Sequence, residues 1–173
     1  MTSFYPIYLF ALNLTDGIEA LQVENLAPPD TGCLHDYQLQ MGDMKALAEA
    51  DLFLVNGAGM ENFLPLVTEA LPTLTVCEAT VGIELLDDAE QENTLFEAES
   101  EVNSHVWLDA KKAAQMVENL AAALMETYPQ FDVQLTENRD GLLQRLEVLD
   151  EELRNGLSDL ANRQIITFHE AFP

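Results

Sequence analysis

Leucine recurs through the last third of this 173-residue chain at intervals that suit only an α-helix. Leu142, Leu146, Leu149, Leu153, Leu157 and Leu160 are spaced by three or four residues, which puts them on one stripe of a helix running from about residue 130 to 162. At roughly 1.5 Å per residue such a helix approaches 50 Å. A small domain does not need that length, so the pattern predicts a helix that connects two bodies.

Before the leucine stripe, the chain alternates between helical and strand patterns. Pro6 suits a first helical turn, Ile7, Phe10, Ala11 and Leu14 share a face, and Gly17 supplies the stop. Leu21–Ala27 reads as a strand ended by Pro28-Pro29. Asp43 is placed to cap a short helix through Ala50, with Met44, Leu47 and Ala48 facing inward. Leu52–Asn56 fits a buried parallel strand, Gly57-Ala58-Gly59 turns the chain into a helix from about Glu61 to Leu71, and Leu74–Glu78 is the next strand. Strand and helix in turn predict an α/β fold, a parallel sheet flanked by helices and followed by the long connecting helix. The glycines are no phosphate loop, because no Lys-Ser or Lys-Thr follows and the dinucleotide spacing is absent. Ala113, Met116, Val117, Leu120 and Leu124 form one more helical face, which must end before Pro129. Expected units are residues 1–128, the helix over 129–163, and a strand within 164–173, where Gln164–Phe168 is apolar and extended in character.

Charge narrows the partners. Seven Lys and Arg oppose 31 Asp and Glu, a formal charge of -24. Nucleic acid and anionic membrane would be repelled, and cations drawn in; the plain alternative is solubility. Residues 84–101 carry many carboxylates and no basic residue, which reads as a solvated loop able to concentrate divalent cations without caging them. The 48% hydrophobic content suffices for a core. Cys33 and Cys77 form no Cys-x-x-Cys pair. No apolar run is long enough to span a bilayer, and no export signal is visible at the amino terminus.

The chain has three histidines, each at a segment junction. His35 follows the Pro-Pro loop, past the carboxyl end of a strand where open α/β sheets place ligands. His105 lies in Asn103-Ser104-His105-Val106-Trp107-Leu108-Asp109, and His169 closes the apolar run Gln164–Phe168. Singly, each is more ordinarily a packing, capping or backbone-bonding residue. Three at junctions suggest one shared site.

Taken in order, several short pieces form a set: Ser3-Phe4-Tyr5-Pro6-Ile7-Tyr8, Pro28-Pro29 with His35-Asp36-Tyr37, Asp43-Met44, Ala50-Asp51, Asn56-Gly57, His105-Val106-Trp107-Leu108-Asp109 and Thr167-Phe168-His169-Glu170-Ala171-Phe172. This set resembles the metal-binding extracytoplasmic receptors of ABC transporters, the zinc and manganese uptake group. The resemblance implies two α/β lobes joined by one rigid helix, with the metal between them. It makes His35 and His105 ligands from the first lobe and His169 a ligand from the second, and it puts an acidic fourth ligand beyond this sequence. It also implies that the ion, Zn2+ ahead of Mn2+, is transported cargo handed to a permease, and that no bond is made or broken.

The chemistry agrees with that implication. Neutral imidazole is a borderline ligand suited to zinc, and three with an oxygen make a tetrahedral site. In the family that the chain resembles, a carboxylate at the third position goes with manganese, so the resemblance makes His169 a tilt toward zinc. Asp36 and Glu170 could add oxygens or outer-sphere bonds. Two departures stand out: the loop before His105 contains no histidine, and only Met1-Thr2 remains of the family's first strand, so an export signal is expected to lie outside this sequence. Two other readings stay open, a three-histidine zinc enzyme activating water and a surface adhesin. His-Glu-x-x-His is absent. The tail from about Gln164 is expected to fray or pair with another copy, and the uncovered part of the leucine stripe to favour self-association.

Overall fold

The computed structural model describes residues 1–29, 31, 34, 37–87, 102–162, 164–166 and 171. Its elements are α1 (Tyr5–Leu14), α2 (Met41–Ala48), β1 (Leu52–Val55), α3 (Leu64–Ala70), β2 (Thr75–Glu78), α4 (Ala110–Thr127) and α5 (Asp132–Leu157), with short 3-10 turns at Val106–Leu108 and Pro129–Phe131.

β1 and β2 pair in parallel, Leu52 opposite Thr75 and Val55 opposite Glu78. All four residues of β1 are buried, as a strand covered on both faces requires. Thr2 extends the sheet on the other side, bridging in parallel to Leu54 and to Asn25. The predicted strand Leu21–Ala27 is only a bridge at Asn25, because its partner segment turns into α1 directly after Ser3 and Phe4: Thr2 N–H donates to Glu24 O, and the N–H groups of Leu26 and Ala27 donate to the carbonyls of Thr2 and Ser3.

The helices form for the reasons the sequence suggests, with shifted ends. In α1, Pro6 occupies the first turn, Ile7, Ala11 and Leu14 are buried, and Gly17 follows at φ 73°. In α2 the cap is Gln40, and Asp43 sits three residues inside, its carboxylate accepting from Gln40 N–H at 2.7 Å. Leu47 is buried and Ala48 is exposed, so the inward face is narrower than expected. α3 starts at Leu64 instead of Glu61, because the Glu61 carboxylate turns back onto the preceding loop and Pro65 takes the first turn. α4 is capped by Asp109, which accepts from the N–H groups of Lys111 and Lys112 at 2.8 and 3.0 Å. It buries Ala113, Met116, Val117, Leu120, Ala121 and Leu124 in the core.

α5 has 26 residues, about 39 Å. It stops short of residue 162, since Gly156 weakens the last turn and polar residues follow. Its first half is rooted. Leu135 and Leu142 are buried, and the Asn138 amide donates to the carbonyls of Leu14 and Asp16 at 2.8 and 2.9 Å, satisfying acceptors that the end of α1 leaves open. In its second half Leu149, Leu153 and Leu157 are exposed. Gln164, Ile165 and Ile166 are in no strand, and both isoleucines are exposed. That departs from the predicted strand: these residues have no ladder to join among the described residues. Thr167 and Phe168, the rest of that run, lie outside the described residues, as do residues 88–101 of the acidic stretch. Its flanks are paired, Asp87 bridging antiparallel to Val102 and Asn103 N–H donating to Leu86 O at 2.8 Å. Among the described residues no helix is long and apolar enough to cross a membrane.

Candidate metal centre

Of the three histidines, the structure describes His105; His35 and His169 lie outside the described residues, with Cys33, Asp36 and Glu170. The described residues alone bring no three His, Cys, Asp or Glu side chains to one metal-sized point. What can be built upward is the His105 corner and the supports on either side of it.

His105 is half-buried and opens the 3-10 turn before α4. Asn103, buried two residues earlier, turns its Oδ1 toward both the main-chain N–H of His105, at 3.0 Å, and the ring Nδ1, at 3.2 Å. A group that accepts from a main-chain N–H must be the amide oxygen, which settles the orientation of Asn103. An oxygen facing Nδ1 favours the tautomer protonated there and leaves the lone pair on Nε2. This is how a ring nitrogen is prepared for a metal. Val106 is buried in the core, and Trp107 packs between His105, 5.2 Å between ring centroids, and Phe4, 5.0 Å away.

The segment that carries position 35 is held at both ends. Leu34 is fully buried, and its carbonyl accepts from Tyr37 N–H at 2.9 Å. Tyr37 packs edge-on against Phe63 and donates its hydroxyl to Asp43 Oδ2 at 2.9 Å. Burial, with the hydrogen bond and charge of Asp43 behind it, pushes the Tyr37 phenol up to about 12. At the other end of the chain, Ala171 is half-buried and lines a cavity of about 260 Å³ together with His105, Asn103 and Leu86. That contact runs against a tail frayed throughout from Gln164. A larger cavity, about 450 Å³, opens at the amino end of β1 beside Met1, Glu24 and Asp51, but His105 does not line it. The smaller cavity is the one with a prepared nitrogen.

The carboxyl end of β1 supplies a support that sequence reading missed. Asn56, fully buried, donates its side-chain amide to Ser104 O at 3.0 Å and to Gly57 O at 2.9 Å. Glu61, also buried, accepts from the N–H groups of Asn56 and Gly57 at 2.7 and 3.0 Å. Burial pushes the Glu61 carboxyl above its ordinary value, against the pull of those N–H donors. The only signal in the sequence was a glutamate following an Asn-Gly-x-Gly turn.

A model of the zinc-uptake complex component A, the periplasmic protein ZnuA, matches residues 1–173, the whole chain. The chain belongs to the ZnuA family. Among curated ZnuA relatives, the zinc-binding lipoprotein AdcA of Streptococcus pneumoniae is 26% identical over 99% of this chain and 35% of its own length. The high-affinity zinc uptake system protein ZnuA of Bacillus subtilis is 26% identical over 99% of this chain and 55% of its own. The chain thus spans between about a third and a little over half of these relatives. The crystal structure of Zn(II)-bound AdcA from Streptococcus pneumoniae superposes with a TM-score of 0.84 at 26% identity, covering 99% of this chain and 35% of that one. A crystal structure of ZnuA superposes at 0.85, with 25% identity over 98% and 64%. These likenesses settle the fold class as that of a ZnuA-like receptor domain: an α/β lobe with a parallel sheet, followed by a long helix.

Proposed function

We propose that this chain carries the metal-capturing part of an extracytoplasmic zinc receptor, in which His35, His105 and His169 ligate a Zn2+ ion that is cargo for an ABC permease. The observation that carries the reading is the Asn103–His105 pair, in which an amide oxygen faces the ring Nδ1 beside a cavity that His105 and Ala171 both line. Ala171, which lines the same cavity as His105, lies two residues after His169 in the sequence, and that supports including His169 in the set. Leu34 and Tyr37 fix the ends of the segment bearing His35. The family's zinc-binding members support the choice of metal, and nitrogen ligands favour Zn2+ over Mn2+. No enzymatic step is part of this reading.

The test is a competition titration with Zn2+ and Mn2+ between pH 5 and 7.5. Ligating imidazoles must be neutral, and their reference pKa is about 6.5, so zinc affinity should fall as the pH drops and exceed manganese affinity throughout. Affinity independent of pH, or a preference for Mn2+, would overturn the histidine assignment.

A further inference from the structure

Glu61 is a buried carboxylate that the metal-binding reading leaves without a task. It follows three consecutive residues with positive φ, Gly57 at 81°, Ala58 at 52° and Gly59 at 77°, a run that is costly for the alanine and persists only where the surroundings enforce it. The Glu61 carboxylate closes this loop by accepting from the main-chain N–H groups of Asn56 and Gly57 at its start. Asn56 is thereby fixed, and Thr80 fixes it further, donating its hydroxyl and its N–H to Asn56 O at 2.9 and 3.1 Å. The remaining donors of Asn56, its side-chain amide hydrogens, go to Gly57 O and across the fold to Ser104 O, the carbonyl immediately before His105. Reversing that amide would set its oxygen against two carbonyls, so its orientation is determined by its partners.

We propose that Asn56 and Glu61 are positioning residues for the metal centre: Glu61 clasps the loop after β1, and Asn56 transmits that fixed position to the backbone of His105 through Ser104. Two anchors then define where the imidazole stands. Asn103 sets the ring's tautomer and tilt, while the end of β1 sets where its backbone sits. Neither Asn56 nor Glu61 touches the ion. This inference rests on His105 being a zinc ligand and extends that reading to residues outside the ligand set.

The test uses the 173-residue chain and five proteins: wild type, His105→Ala, Asn56→Ala, Glu61→Gln, and Leu135→Ala as a core variant remote from the link. Circular dichroism at the working temperature selects the variants that are folded; if Glu61→Gln is not, Asn56→Ala decides alone. Zinc affinity is measured against a chromophoric chelator. Long-range 1H–15N spectra of the imidazoles are recorded without metal, the His105 signals being assigned by their loss in His105→Ala. Asn56→Ala and Glu61→Gln should each weaken zinc binding by about tenfold or more, the range typical of partners outside the ligand set, and should shift the His105 ring signals. Leu135→Ala should keep wild-type affinity and spectra. Wild-type affinity and ring signals in Asn56→Ala, with binding lost in His105→Ala, would overturn the positioning role and leave the metal reading intact. An equal loss in Leu135→Ala would overturn it too, by showing a general effect of stability. Unchanged binding in His105→Ala would remove the metal reading, and this inference with it.

Discussion

Trp107 stands edge-on to Phe4, ring centroids 5.0 Å apart and planes at 76°, while its indole also packs 5.2 Å from the imidazole of His105. The residue that packs on the start of α1 is therefore also the one that packs on this imidazole. It is the only tryptophan in the chain. A metal ion on the imidazole would place positive charge beside the indole ring, so emission should change on zinc addition. Fluorescence titration of wild type and His105→Ala checks this, and a zinc response of equal size in both would dissociate Trp107 from the site.

Asn103 should matter through its oxygen alone. Asn103→Ala removes the oxygen that faces Nδ1, and, with His105 as a ligand, a loss of about 10- to 100-fold in zinc affinity is expected. Asn103→Asp retains an acceptor and should bind better than the alanine variant. Calorimetric titration of the pair decides; equal affinities would mean that the ring is oriented by other contacts.

Gly57 has no tolerance for a side chain. Its φ of 81° disfavours any L-residue, and an added Cβ would fall 2.6 Å from Thr80 Oγ1 and 2.8 Å from Glu78 Oε2. The left-handed backbone alone costs about 1–2 kcal/mol, so Gly57→Ala should destabilise by more than about 2 kcal/mol once the overlap is added. Urea unfolding measures it. Gly59→Ala, with a similar φ and open space around it, should lose only the backbone part.

Alkaline pH should expose the link between Tyr37 and Asp43. The Tyr37 phenol is raised from 10.0 to about 12 in the folded protein, by burial first and then by Asp43. A raised value means the folded state holds its proton longer than the unfolded chain does, so this contribution is complete below pH 10 and is lost as pH climbs toward 12. Melting temperature should fall across that window, and Tyr37→Phe should fall less steeply. Parallel slopes for the two proteins would place the alkaline sensitivity elsewhere, Tyr128 beside Asp51 being shifted upward as well, mainly by burial.

The exposed leucines of α5 predict self-association. Leu149, Leu153 and Leu157 continue a stripe whose earlier members, Leu135 and Leu142, are buried. An exposed apolar edge of this kind seeks cover. Sedimentation velocity should show a concentration-dependent dimer, reduced by Leu153→Glu with Leu157→Glu. A monomer at every concentration would contradict it.

Periodic features were readable from residues alone. The faces of α1 and α4, the buried run of β1 and the first half of α5 follow from spacing, because burial on one side forces a repeat, whereas the later leucines of α5 keep the repeat and are exposed. The terminations were less readable. α3 begins late because Glu61 bonds backwards, and no pattern in its neighbourhood announces which way a carboxylate will turn. Asp43 looked like a cap and works one turn inside, since a capping box uses the same residue types at different positions. The Asn56–Ser104 bond joins points 48 residues apart, and local sequence holds no trace of such a pairing. Only the resemblance, by naming His169 together with His105, pointed to the segment of Ala171 as a neighbour of the His105 cavity.

The pairing of Asp87 with Val102, and of Asn103 N–H with Leu86 O, has an engineering consequence. Because these pairs hold residues 86–87 beside residues 102–103, the two ends that any joining segment must meet are fixed side by side, and the closure cost of a longer joining segment rises by only about 0.6 kcal/mol for each doubling of length. A peptide tag or chelating sequence spliced between those two ends would start and finish within a few residues of His105 along the chain.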